Sequence, residues 1–188
     1  MEDLIRKNFK DSIAVKEQTL EKNLAQIQKS ASLIIEAIKS NHKVFFFGNG
    51  GSAADSQHIA AELIGRFQKE RRSLPAIALT TDTSTLTALG NDYSFDVVFA
   101  RQLEGLGQKG DVAFGISTSG NSPDVLEGVK KACALGLKVI GLTGNDGGKL
   151  AALCDVAIIV PSKVTARIQE SHMCIYHSIC EIVENSFL

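Results

Sequence analysis

Five short apolar runs, punctuated by glycine and separated by helical stretches, constrain this chain more than any other feature. Runs this short cannot complete the apolar face of a helix, but they suit strands buried on both faces. They predict strands at Lys43–Phe47, Pro75–Leu79, Asp111–Ile116, Lys138–Leu142 and Val156–Val160. The intervening patterns predict helices near Ala53–Phe67, Ser84–Leu89, Phe95–Leu106, Pro123–Leu135, Lys149–Leu153 and Thr165–Glu184. Strands alternating with helices pair in parallel through crossovers, so the expected fold is α/β, a five-stranded parallel sheet, doubly wound. A length of 188 residues suits one domain, with residues 1–40 as an N-terminal helical extension and 41–188 as the α/β sandwich.

That extension has no glycine or proline, and Leu20, Leu24, Ile27, Ala31, Ile34 and Ile38 repeat at alternating steps of four and three. The stripe is a helical seam. It is narrow enough to pack along another helix, from a second subunit or from the same domain, and the spacing does not choose between them.

Composition removes several function classes. Twenty basic and twenty-one acidic side chains leave a formal charge of −1, which provides no global field for nucleic acid. No apolar run approaches the roughly 18 residues of a membrane helix, and the Met-Glu-Asp-Leu start lacks the basic and apolar regions of a secretory leader. A cytoplasmic protein with no membrane or nucleic-acid partner is expected. Cysteines at 133, 154, 174 and 180 form no C-x-x-C pair and suit buried thiols better than a disulfide framework.

Two loops carry the chemistry. Gly48-Asn49-Gly50-Gly51-Ser52-Ala53 joins the first strand to a helix, where glycines allow close backbone approach and the helix N-terminus favours an anion. Its relaxed dinucleotide pattern has no acidic residue at the end of the second strand, where Asp82 lies beyond the spacing of about twenty positions, and no Gly-Lys-Ser marks a P-loop. Ser117-Thr118-Ser119-Gly120-Asn121-Ser122-Pro123 brings four hydroxyls to the head of another helix, with Ser122 as expected N-cap and Pro123 as first helical residue. Four hydroxyls exceed what a cap uses, which points to a phosphate monoester. Both loops fall at the carboxyl ends of their strands, where open parallel sheets bind ligands.

Two helices add titratable groups. Asp55, His58, Glu62 and Arg66 share one helix face, starting at the glycine loop. On the last helix Gln169, His172, Tyr176 and His177 surround the polar side. Gln169, His172 and Tyr176 make the straighter stripe, and helical geometry does not choose between the two histidines.

These motifs, in this order, closely resemble the bacterial phosphoheptose isomerases, of the sugar isomerase (SIS) fold. The residues that carry the resemblance are Gly48 to Ala54, His58 to Glu62, Asn91-Asp92, Ser117 to Ser122, and Gln169 with His177, covering nearly the whole chain. The resemblance implies a flavodoxin-like strand order and conversion of sedoheptulose 7-phosphate into D-glycero-D-manno-heptose 7-phosphate through an enediol, the entry step to heptose for bacterial surface glycans. It implies a homotetramer, with sites at subunit interfaces and one zinc ion per subunit. By the same resemblance Ser117, Thr118, Ser119 and Ser122 hold phosphate, while Asn49, Gly50, Gly51, Ser52, Asn91, Asp92, Glu62 and Gln169 contact the sugar. His58, Glu62, Gln169 and His177 are the implied metal ligands. Glu62 is the expected base and His177 the expected acid.

SIS folds also serve as sugar-phosphate sensors and as binding proteins, including one that engages a replication initiator, and as isomerases of other sugar phosphates. Fold alone does not separate these. Glu62 favours catalysis, because a binding module needs no base.

Overall fold

The computed structural model describes all 188 residues. In chain order the elements are α1 (Glu2–Lys39), β1 (Val44–Gly48), α2 (Gly51–Ile64), β2 (Ala76–Ala78), α3 (Thr83–Asp92), α4 (Val98–Leu106), β3 (Val112–Ser117), α5 (Pro123–Leu135), β4 (Lys138–Gly144), α6 (Gly148–Ala151), β5 (Val156–Val160) and α7 (Thr165–Asn185). A single 3-10 turn, Phe95–Val97, leads into α4. The strands form one parallel sheet in the order β2-β1-β3-β4-β5. The order reverses between β1 and β3, so their carboxyl ends flank the crevice in which such sheets bind ligands. The expected fold is the observed one.

Side chains alternate across the sheet, as strand geometry requires. Val44 and Phe46 face the layer of α1, α2 and α7, whereas Phe45 and Phe47 face α4 and α5. The first layer gathers 26 buried apolar residues and the second 14, so α1, α2 and α7 cover the heavier core. That layer also holds the titratable residues of α2 and α7, which places the chemistry on well-anchored helices.

The N-terminal extension is one continuous helix, and its seam divides. Ile27, Ala31, Ile34 and Ile38 are buried on the chain's own sheet, while Leu20 and Leu24 are half exposed. Asn23 explains how α1 grips the sheet: its amide donates to the Ile159 carbonyl at 3.0 Å and accepts from the Ile159 N–H at 3.0 Å. A side chain thereby occupies the ladder positions of edge strand β5. Ahead of this contact Leu4, Ile5, Phe9 and Ile13 are all more than half exposed.

Three local expectations need correction. The helix after the glycine loop ends at Ile64, with Gly65 as its cap, rather than reaching Phe67. Ser122 precedes α5 but makes no capping bond, because its hydroxyl pairs with Ser117 at 2.9 Å instead. All four cysteines are free, yet only Cys180 is buried; Cys133 and Cys174 are exposed.

Candidate active site

The glycine loop and the serine loop lie side by side because β1 pairs with β3, Gly48 opposite Ile116. A Cβ on Gly48 would stand 2.7 Å from the Ile116 carbonyl oxygen, which restricts the position to glycine. Gly50 takes a left-handed φ of 52° to turn the chain into α2. Ser52 is buried beneath Gly48, whereas Asn49, Gly50 and Gly51 are exposed at the mouth of the crevice. Asn49 donates its amide to Asp124 at 2.9 Å, which ties the first loop to the first turn of α5. Asp124 is almost wholly buried, and burial raises its carboxyl pKa despite the bond from Asn49.

In the second loop Ser117 is buried, Thr118 is half-buried, and Ser119 is exposed, accepting the Asn121 N–H at 3.2 Å. Gly120, at φ 66°, completes the turn. No Ser122 side-chain bond caps α5, and the first-turn acid Asp124 is buried and tied to Asn49, so the N–H groups at this helix end remain suited to an anion.

The titratable cluster forms where α2 meets α7. Ligand atoms of His58, Glu62 and His177 all lie within 4.8 Å of one another. His58 Nε2 is 3.0 Å from Glu62 Oε1, and the His58 and His177 rings meet edge to face at 5.0 Å between centroids. His177 Nε2 is buried without a hydrogen-bond partner. Burial and the neighbouring His58 lower the His177 pKa, with Glu62 opposing them.

The structure separates the two histidines that helical geometry left equivalent. His172 is fully buried with Nε2 against the Thr143 carbonyl at 3.1 Å, and burial lowers its pKa to about 4. It packs against the carboxyl end of the interior strand β4 and takes no part in the cluster. Gln169, two turns before His177, fills the space that a Cβ on Gly51 would need, so its amide lies at the head of α2. Arg66 leaves the α2 stripe and lies exposed, 3.9 Å from Glu70. Asn91 and Asp92 end α3 in exposed positions, bonded to each other at 2.8 Å.

Two contributors went unassigned in the sequence. Tyr176, fully buried, places its hydroxyl 3.2 Å from His58 Nδ1 and 3.3 Å from Asp55 Oδ1. Its position in the α7 polar stripe was the available signal. Phe67 lies 5.4 Å from the His177 ring, on a loop that carries no motif.

Comparison with known proteins identifies the family. Residues 8–144 match the SIS domain family. The phosphoheptose isomerase of Aquifex aeolicus is 56% identical over 184 residues, covering 98% of this chain and 96% of the relative. That of Nitratiruptor sp. is 62% identical over 159 residues, covering 84% and 85%. The solved phosphoheptose isomerase structure from Neisseria gonorrhoeae superposes with a TM-score of 0.93 at 45% identity, covering 98% of each chain. With its parallel sheet, paired loops and α2–α7 cluster, this chain belongs to the SIS-domain family and, within it, to the phosphoheptose isomerases.

Proposed function

We propose that the protein interconverts sedoheptulose 7-phosphate and D-glycero-D-manno-heptose 7-phosphate. The observation that carries this reading is the convergence of His58, Glu62 and His177 beside two anion-suited loops. The phosphate sits at the head of α5 among Ser117, Thr118, Ser119 and Ser122. Asn49, Gly50, Gly51, Ser52, Asn91, Asp92 and Gln169 serve the sugar hydroxyls, Ser52 from beneath Gly48.

Moving the carbonyl from C2 to C1 requires one carbon-bound proton and one oxygen-bound proton to be relayed. Glu62 takes a proton from C1 while His177 protonates O2, giving the enediol. Glu62 then returns its proton to C2, and His177 recovers one from O1. The donor set also fits zinc: two imidazoles and a carboxylate, with the buried Nε2 of His177 left open. His58, Glu62, Gln169 and His177 would hold one ion per subunit, and its charge would stabilise negative charge on the sugar oxygens. No single atom ligates and carries a proton at once, so ligation and proton transfer by Glu62 and His177 are successive states.

The exposed Leu4, Ile5, Phe9 and Ile13 on α1 support association into a homotetramer with sites at its interfaces. No helix is long and apolar enough to cross a membrane. Four free thiols suit a reducing compartment, and we place the enzyme in the cytoplasm, supplying heptose for surface glycans.

The decisive experiment is turnover of sedoheptulose 7-phosphate with the product identified by NMR, before and after chelation and after zinc is restored. Turnover should vanish on chelation, return with zinc, and fall at least about 10²-fold in Glu62→Gln, the lower range for a positioned base. Absence of turnover with any metal would overturn the reading, and an active Glu62→Gln would remove Glu62 as base. Light scattering should give the mass of four chains; a monomer would undo the shared-site arrangement.

A further inference from the structure

His58 has two neighbours that constrain its ring differently. Nε2 faces Glu62 Oε1 at 3.0 Å, and Nδ1 faces the Tyr176 hydroxyl at 3.2 Å. The hydroxyl is shared, because Asp55 Oδ1 lies 3.3 Å from it on the other side. Tyr176 has one proton to give. An ionised carboxylate only accepts, and bonds to it are the stronger kind, so the phenol donates to Asp55. Its oxygen then presents lone pairs to His58, whose Nδ1–H is the donor. With Nδ1–H committed to the tyrosine, Nε2 is the nitrogen left for the cluster: without an ion its 3.0 Å contact with Glu62 Oε1 carries a proton, and that proton is the one an ion displaces.

We propose that Asp55 and Tyr176 are positioning residues that set the tautomer of His58 and thereby keep Nε2 open to a metal ion. The reverse polarity, with tyrosine donating to Nδ1, would make the Nε2 proton the only one on the ring and so close that nitrogen to an ion. Tyr176 also fixes ring orientation: it stands edge-on to His58 at 5.6 Å and to His177 at 4.8 Å between centroids. Asp55 is buried with Oδ2 lacking a partner, an arrangement that costs stability and is better explained by a role in the site than in folding. The inference rests on the reading of the α2–α7 cluster as a metal site, and adds the groups that orient one ligand.

Tyr176→Phe tests it, because the ring stays and only the hydroxyl goes. Zinc affinity, measured by competition with a chromophoric chelator, should fall about 10- to 100-fold, the usual effect of removing a group that orients a ligand. In the zinc-loaded wild type, ¹H–¹⁵N spectra should show a slowly exchanging Nδ1–H on His58, absent from the variant. A purely structural tyrosine would not move that signal. Asp55→Asn, which leaves the phenol in place, should weaken zinc binding in the same direction by less, and it carries the test where Tyr176→Phe does not fold. Affinity within twofold of wild type in the folded variants, or a protonated Nε2 in the loaded protein, would overturn the assignment. Neither readout depends on the sugar. A wild type that binds zinc without isomerising the heptose phosphate overturns the proposed reaction alone, and one that binds no zinc overturns both.

Discussion

Two loops border the site, and they are built in opposite ways. From Gly65 to Leu74 the chain has no motif, yet its backbone is heavily bonded: Glu184 accepts the N–H groups of Phe67, Gln68 and Lys69 at 2.8, 2.8 and 2.9 Å. Arg71 donates to the carbonyls of Glu62, Leu63, Gly65 and Arg72, and its guanidinium lies 3.5 Å from Glu184. From Ser117 to Ser122 the chain is dense in motif, but the protein makes little use of its hydroxyls. Ser117 and Ser122 bond only each other, and Thr118 Oγ1 bonds no other group. Polar capacity satisfied internally makes a rigid wall; capacity left open makes a receptor. The first loop holds Phe67 against His177, and the second offers donors to a ligand.

Changes at Glu184 should break this contrast most sharply. Glu184→Ala strips one partner from a buried pair and leaves Arg71 uncompensated, a loss of about 3 kcal/mol or more. Thermal unfolding should register it as a fall in Tm of roughly 6–12 °C, on the scale for a chain of this size. A change under about 2 °C would mean that the loop is held by other means.

Acid should act on the same clasp. Burial alone would raise the Glu184 pKa, but the N–H groups of Gln68, Phe67 and Lys69, together with Arg71, outweigh it and hold the carboxyl below its ordinary value of 4.5. A depressed carboxyl stabilises the folded state above the unfolded pKa and ceases to do so as pH falls through the folded one. Stability should therefore decline below about pH 4.5, and Glu184→Gln should flatten that decline in urea titrations. An unchanged acid limb in the variant would assign it to other carboxylates.

The serine loop should show the smallest effect on stability and a selective effect on binding. Ser119→Ala should shift unfolding by less than about 0.5 kcal/mol, while KM for the sugar phosphate rises roughly tenfold through loss of one charge-assisted bond. An unchanged KM would place the phosphate elsewhere.

The contrast also explains what sequence could show. Glycine-bounded runs such as Val44–Gly48 are local signals, and all five strands lie within two residues of their expected limits. The serine loop was legible because its hydroxyls outnumber what its own turn uses. Phe67 was not, since its place depends on a carboxylate 117 residues further along the chain. Periodicity likewise left His172 and His177 equal, because the choice depends on which side of α7 faces α2 and which faces β4. Resemblance to the isomerases favoured His177, and the cluster contains it. Tyr176 lay in view but without a role until Asp55 and His58 were found on its hydroxyl.

The Glu184 clasp bears on how the enzyme is made. Synthesis runs from the amino end, so both motif-bearing loops leave the ribosome long before α7 does. A nascent chain stopped at residue 160 contains every strand and both loops, but has neither His177 nor the carboxylate that holds Phe67. The sheet's ingredients precede the catalyst by a full helix. Activity is thus coupled to completion of α7, and truncation within it, ahead of His177, removes that residue together with part of the cover of the heavier core.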